Sequence, residues 1–211
     1  MFAQAWHFEY DARVRVLRWI AAAVFFLQLP IPLYWFVVHP KIEFWRKHRN
    51  GVYGIGLLFS WGLVTPLLIL FRGDLIRHGE PAPAMATAGL VLIALEILIF
   101  WHVKSDLGTA RLVGAPELSG GGEIVAQGIY AHIRHPRYTA SFLAIVGACL
   151  IAGTRLAWIA AGAWAGLTLI AIRMEEREMR ARFGEAFEDY CRRVPRFLPL
   201  MARSKSVRPA E

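Results

Sequence analysis

Long uncharged stretches dominate the chain. Trp19 to Val38 and Val52 to Phe71 each run 20 residues without a charge, and Ala84 to Trp101 runs 18 with one acid, Glu96. Crossing a hydrocarbon core of about 30 Å takes roughly 20 apolar residues rising about 1.5 Å each. Each stretch therefore predicts a transmembrane helix. Tyr138 to Ile172 is 35 residues with a single charge, Arg155. One straight helix of that length measures about 52 Å, too long for one crossing. The break at Gly153-Thr154-Arg155 predicts a hairpin instead, Tyr138–Ala152 and Leu156–Ile172, with flanking arginines reaching the interface.

Beyond Ile172 the chain turns charged and reads as helical to about Arg193. Met179, Phe183, Phe187, Tyr190 and Val194 recur at helical spacing, an amphipathic stripe. Extended backwards, the stripe takes in Glu175 and Ile172. Glu175 is thus expected on the packed face, and Arg177, Glu178 and Arg182 on the solvated one. A carboxylate on a packed face at the mouth of a membrane hairpin needs a partner, which marks a site. The fold class predicted is all-α, a bundle of about five transmembrane helices closed by a C-terminal amphipathic helix.

Charge sets the orientation. With five spans, one side of the membrane carries Arg13, Arg15, Arg18, Arg72, Arg77 and Arg155, six basic residues against eighteen on the other. That asymmetry predicts a cytoplasmic C-terminus in a multi-pass plasma or inner membrane protein. It also accounts for the net charge of +8 without a nucleic-acid partner. Cys149 falls inside the fourth span and Cys191 in the tail, so no disulfide is expected, and no metal-ligand spacing surrounds either. Residues 1–101 read as a three-span membrane region without a motif, and 102–211 as a cofactor-binding region. The intervening loop, His102 to Arg137, is 36 residues long, the length of a functional connection. Its Ser119-Gly120-Gly121-Gly122 lacks the Lys-Ser/Thr of a phosphate loop and reads as a flexible turn.

Two segments concentrate the useful chemistry. Gln127 to Tyr138 (Gln-Gly-Ile-Tyr-Ala-His-Ile-Arg-His-Pro-Arg-Tyr) stands at the start of the fourth span. There Pro136 displaces His135 from helical geometry and leaves backbone N–H groups beside Arg134 and Arg137, where an anion can dock. Glu175-Glu176 stands at the end of the fifth span. A hairpin brings the two segments together, a cationic cluster beside a carboxylate pair, suited to a zwitterionic ligand. Glu96, a carboxylate mid-span, costs about 2.5–3.5 kcal/mol to insert and so is expected to have a use, lining an acceptor tunnel or hydrogen-bonding between helices.

Arg134-His135-Pro136-x-Tyr138, an apolar hairpin, Glu175-Glu176, Phe183-Gly184, Tyr190 and Val194-Pro195-Arg196-Phe197-Leu198-Pro199 together resemble the C-terminal signature of the isoprenylcysteine carboxyl methyltransferases and their phospholipid-methyltransferase relatives. The resemblance covers roughly the last 80 residues. It implies a membrane-embedded transferase using S-adenosyl-L-methionine, with Ile124, Val125, Tyr130, His135, Pro136, Arg137, Tyr138 and Glu175 on the cofactor. The pattern usually has Gly where this chain has Ala140, and family members carry an acceptor-binding Arg where it has Ala171; Arg173 is the nearest substitute. Arg173 and Glu96 are the expected acceptor contacts, and Arg134 or the helix start can hold the methionyl carboxylate. A carboxylate acceptor needs no general base, whereas an amine or thiol does, with His135 or Glu176 nearby. Methyl transfer from a sulfonium is an in-line displacement that neutralises a cation, helped chiefly by a dry, positioned site. The acceptor expected is a membrane lipid or lipophilic molecule. The competing readings are an NADPH-dependent membrane reductase of the sterol type and a non-enzymatic membrane protein that keeps the fold.

Overall fold

The computed structural model describes residues 2–76, 81–112, 118–119 and 123–198. Regular structure among them is helical: α1 (Phe2–Gln28), α2 (Ile31–Val38), α3 (Ile42–Lys47), α4 (Arg49–Leu70), α5 (Arg72–Leu75), α6 (Pro83–Leu112), α7 (Pro136–Ala152), α8 (Arg155–Phe183) and α9 (Glu185–Arg193). Single-turn 3-10 segments, His39–Lys41 and Gly128–Ala131, precede α3 and α7. Gly120-Gly121-Gly122, Arg77 and everything beyond Leu198, including Pro199, lie outside the described residues.

Four stretches are long and apolar enough to cross a membrane: Ala12–Lys47, Gly51–Leu70, Pro83–Gly108 and Arg155–Phe183. Pro136–Ala152 is a shorter fifth, in the hairpin where the pattern placed it. The chain is an all-α, multi-pass membrane bundle. The boundary expected after residue 101 falls inside α6, which runs on to Leu112 through a non-helical Gly108.

Proline shapes the first span. Pro32 has no N–H, so the carbonyl of Gln28 loses its helical partner and the chain kinks between α1 and α2. The indole of Trp164, on α8, donates to that carbonyl at 2.9 Å. A defect in one helix thus becomes a cross-link to another.

The hairpin turn follows from its residues. Gly153 closes α7 in the left-handed conformation (φ 65, ψ 21). Thr154 caps α8, accepting from the Ala157 N–H at 3.2 Å, while its hydroxyl donates to the Leu75 carbonyl at 2.7 Å. That bond fixes α5 to the hairpin end.

At 17 residues α7 rises only about 26 Å. It is nevertheless the centre of the bundle, packed by α1, α6 and α8. Against α6 the backbones touch: a Cβ on Gly89 would lie 2.6 Å from the Gly147 carbonyl, and one on Gly147 2.6 Å from that of Gly89. Small residues permit such contact between membrane helices, where packing rather than the hydrophobic effect drives association. Gly147→Val is expected to lower thermal stability in detergent by about 1–3 kcal/mol, since neither backbone can yield without separating α6 from α7. An unchanged melting temperature would show that the contact contributes nothing.

Candidate active site

One cleft gathers the end of α8, the start of α7, the C-terminal end of α6 and the 3-10 turn Gly128–Ala131. Asp106, near the end of α6, accepts from the Ile129 N–H at 2.7 Å and so clamps the turn that carries Tyr130. A Cβ at Gly128, whose φ is +57, would lie 2.1 Å from the Asp106 carboxylate; only glycine fits both the angle and the space.

Glu176 is the hub of the wall. Its side chain is 1% exposed. Arg196 binds it through two nitrogens, at 3.0 and 2.6 Å, His135 Nε2 lies at 3.1 Å, Arg134 at 3.2 Å and Arg180 at 3.8 Å. Arg134 also donates to the carbonyls of Cys191 and Val194, at 2.7 and 2.9 Å, binding the C-terminal end of α9. Backbone bonds complete the seam: Arg134 N–H to Pro195 O at 2.8 Å and His135 N–H to Arg196 O at 3.0 Å. The motif before α7 and the Pro-Arg-Phe motif after α9 are therefore one structural unit, organised by a carboxylate of α8.

Glu175 has a different setting. It is half-buried, lines the cleft and accepts from the Tyr138 hydroxyl at 3.0 Å. Tyr190 donates its hydroxyl to the Tyr130 carbonyl at 2.7 Å. Burial, then the nearby Glu175 carboxylate, push the Tyr130 phenol well above its ordinary range, and burial lifts Tyr190 to about 12. Both stay neutral hydroxyls throughout the physiological range. Met179, Phe183 and Phe187 supply the apolar wall.

Ile124, Val125, Tyr130, His135, Arg137, Tyr138 and Glu175 all line this cleft, as do Arg134 and Glu176. Pro136 is buried at the first turn of α7, outside the lining. Arg173 is exposed on α8, and Glu96 is half-buried on α6 with no hydrogen bond or ion pair among the described residues; neither lines the cleft. Ala171 is fully buried in a cluster with Tyr34, Trp35 and Tyr138, which leaves no room for an arginine side chain.

Glu176 is more deeply buried than Glu175. Two expectations from the stripe are corrected. Arg182, expected on the solvated face, is 12% exposed and lines the cleft. Glu178, expected on the solvated face, is 11% exposed and meets His39 Nδ1 at 2.9 Å, Arg46 at 3.4 Å and Arg182 at 3.6 Å. The cause is the elbow from α2 to α3, which folds back over α8 and supplies partners from far along the chain. The same elbow delivers Trp35, a cleft residue without a sequence signal, stacked on His39 and overlaid by the Arg137 guanidinium 6.0 Å from its ring.

Glu176→Gln leaves Arg134 and His135 buried without their anion and should cost about 3–5 kcal/mol of stability. Tyr138→Phe, which removes one hydrogen bond to a carboxylate, should cost about 1.5–3 kcal/mol. Thermal or denaturant unfolding of the two variants side by side checks the order, and a larger loss for Tyr138→Phe would contradict the hub.

Residues 84–186, from α6 to the beginning of α9, match the family model for phospholipid methyltransferases. Over 170 residues the chain is 38% identical to the nickel-cobalt-cadmium resistance protein NccN of Alcaligenes xylosoxydans xylosoxydans, covering 79% of this chain and 72% of that protein. The matched segment contains the Asp106 clamp, the whole motif before α7 and the Glu175-Glu176 pair. The chain belongs to the phospholipid methyltransferase family of membrane proteins.

Proposed function

We propose that the chain transfers a methyl group from S-adenosyl-L-methionine to a lipophilic or lipid-anchored acceptor at the cytoplasmic face of the membrane. The convergence of the motif residues in one cleft beside the membrane hairpin carries this reading. The cleft's chemistry fits the cofactor. Glu175 and Glu123 offer carboxylates for an ammonium or ribose hydroxyls, Arg137 and Arg182 offer cations for a carboxylate, and Tyr130, Phe183 and Phe187 offer aromatic surface for a base. Two donors on lining residues, Trp35 Nε1 and Arg134 Nε, are buried without a partner among the described residues, in keeping with a ligand rich in oxygen acceptors.

When bound, S-adenosyl-L-methionine supplies an electrophilic methyl group on a sulfonium. The protein's part is to position and to exclude water. Glu175, oriented by Tyr138, holds a polar group of the cofactor. Met179, Phe183 and Phe187 keep the reacting centre dry. Arg134 and Glu176 act as the frame of the wall rather than in proton transfer. Both Glu176 oxygens already accept from Arg196, and one also from Arg134 and His135. This favours an acceptor that arrives as a nucleophile, such as a carboxylate, over one that needs a strong base.

The relative's name ties that protein to nickel, cobalt and cadmium resistance. Among the described residues no three His, Cys, Asp or Glu side chains gather as metal ligands, so the cleft is the site to test.

Calorimetry on the detergent-purified protein should give micromolar binding of S-adenosylhomocysteine, weakened at least about tenfold, or ~1.4 kcal/mol, by Glu175→Ala. NADPH binding in its place moves the protein to the reductase class. If neither ligand binds, the shared motif is structural and the proposal fails.

A further inference from the structure

Trp35 enters the cleft from outside residues 84–186, the segment that matches the family. Among the described residues three tryptophans are buried, Trp35, Trp45 and Trp164. The two away from the cleft satisfy their indole N–H groups within the protein. Trp45 donates to the Val37 carbonyl at 2.8 Å, and Trp164 to the Gln28 carbonyl at 2.9 Å. Trp35, in the cleft wall and 7% exposed, has no acceptor for its Nε1 among the described residues. A buried donor without an acceptor costs stability. Two indoles paired by the fold and one left unpaired in a cleft mark the third as kept for a ligand.

The elbow from α2 to α3 holds that indole in place. Its ring stacks on the imidazole of His39, with 5.1 Å between centroids and 23° between planes. The His39 side chain is 2% exposed, and its Nδ1 lies 2.9 Å from Glu178 on α8. Arg46 and Arg182 reach the same carboxylate at 3.4 and 3.6 Å. Arg137, which also lines the cleft, places its guanidinium 6.0 Å from the indole ring. A hydrogen-bond donor beside a cation suits an anionic oxygen.

We propose that Trp35 is a ligand-binding residue whose N–H donates to the methionyl carboxylate of the adenosyl cofactor, with His39, held by Glu178, as a positioning residue acting through the indole. The inference rests on the methyl-transfer reading and deepens it: the N-terminal half of the chain supplies a cofactor contact of its own.

Calorimetry on the detergent-purified full chain tests it with two probes, S-adenosylhomocysteine and methylthioadenosine, which keeps the nucleoside but lacks the amino-acid part. Trp35→Phe retains an aromatic ring and removes the N–H. It should weaken S-adenosylhomocysteine about tenfold and leave methylthioadenosine within about twofold of the unaltered protein. His39→Ala should reproduce that selective loss, and His39→Asn, whose amide N–H can stand in for Nδ1 toward Glu178, should recover most of it. The double variant Trp35→Phe with His39→Ala should lose no more than either change alone, because both act on one contact. A His39 that only supports the fold would weaken both probes and add to the effect of Trp35→Phe. Unchanged S-adenosylhomocysteine affinity in Trp35→Phe, or equal weakening of both probes, overturns the assignment while the methyl-transfer reading stands. If the unaltered protein binds no S-adenosylhomocysteine, both fall together.

Discussion

A buried carboxylate with arginine and histidine partners holds the functional end of this protein together. Glu176 sits on α8, Arg134 and His135 come from the segment before α7, Arg180 from the next turn of α8, and Arg196 from the segment after α9. Desolvating a charge costs several kcal/mol, and only good geometry with several partners offsets that cost. The arrangement is therefore all-or-none. With the partners assembled, α9 is closed against the hairpin and Tyr130, Tyr138 and Glu175 face one space; with one missing, the others are stranded in a low-dielectric wall. A motif before α7 and a motif after α9, far apart along the chain, are thereby joined through one carboxylate.

The membrane portion supplies rigidity to that end. α7 reaches the cleft with its first turn, and its register is fixed along its length by the Gly89–Gly147 contact with α6 and by the capped turn into α8. Asp106 then transmits the position of α6 to the turn bearing Tyr130. Glu178 couples the elbow between α2 and α3 to the same helix through His39 and Arg46. The site thus depends on both halves of the chain, although the family match begins only at residue 84.

The spans and the hairpin were legible because hydrophobic length is a local property, readable without knowing any contact. The stripe through Met179, Phe183, Phe187, Tyr190 and Val194 was legible for a similar reason, and these residues do pack together with Ile124. Its continuity as one helix was not: Gly184, at φ +53, divides α8 from α9. Helical periodicity can state which face an acid occupies but not which partner arrives from elsewhere. Glu178 was misplaced because His39 is 139 residues away and Arg46 is 132. Trp35 was invisible for the same cause, an ordinary aromatic in an apolar run until the proline kink turns α2 across α8.

The shortness of α7 has a consequence for how the protein meets different membranes. A helix surrounded by protein is matched to its neighbours rather than to lipid, so its length imposes no thickness on the bilayer. Longer or shorter acyl chains act first on the exposed face of α4, which packs chiefly on α2. α6 and α7, locked backbone to backbone at Gly89 and Gly147, move as one unit. A change of lipid composition can therefore tilt α4 before it disturbs the cleft.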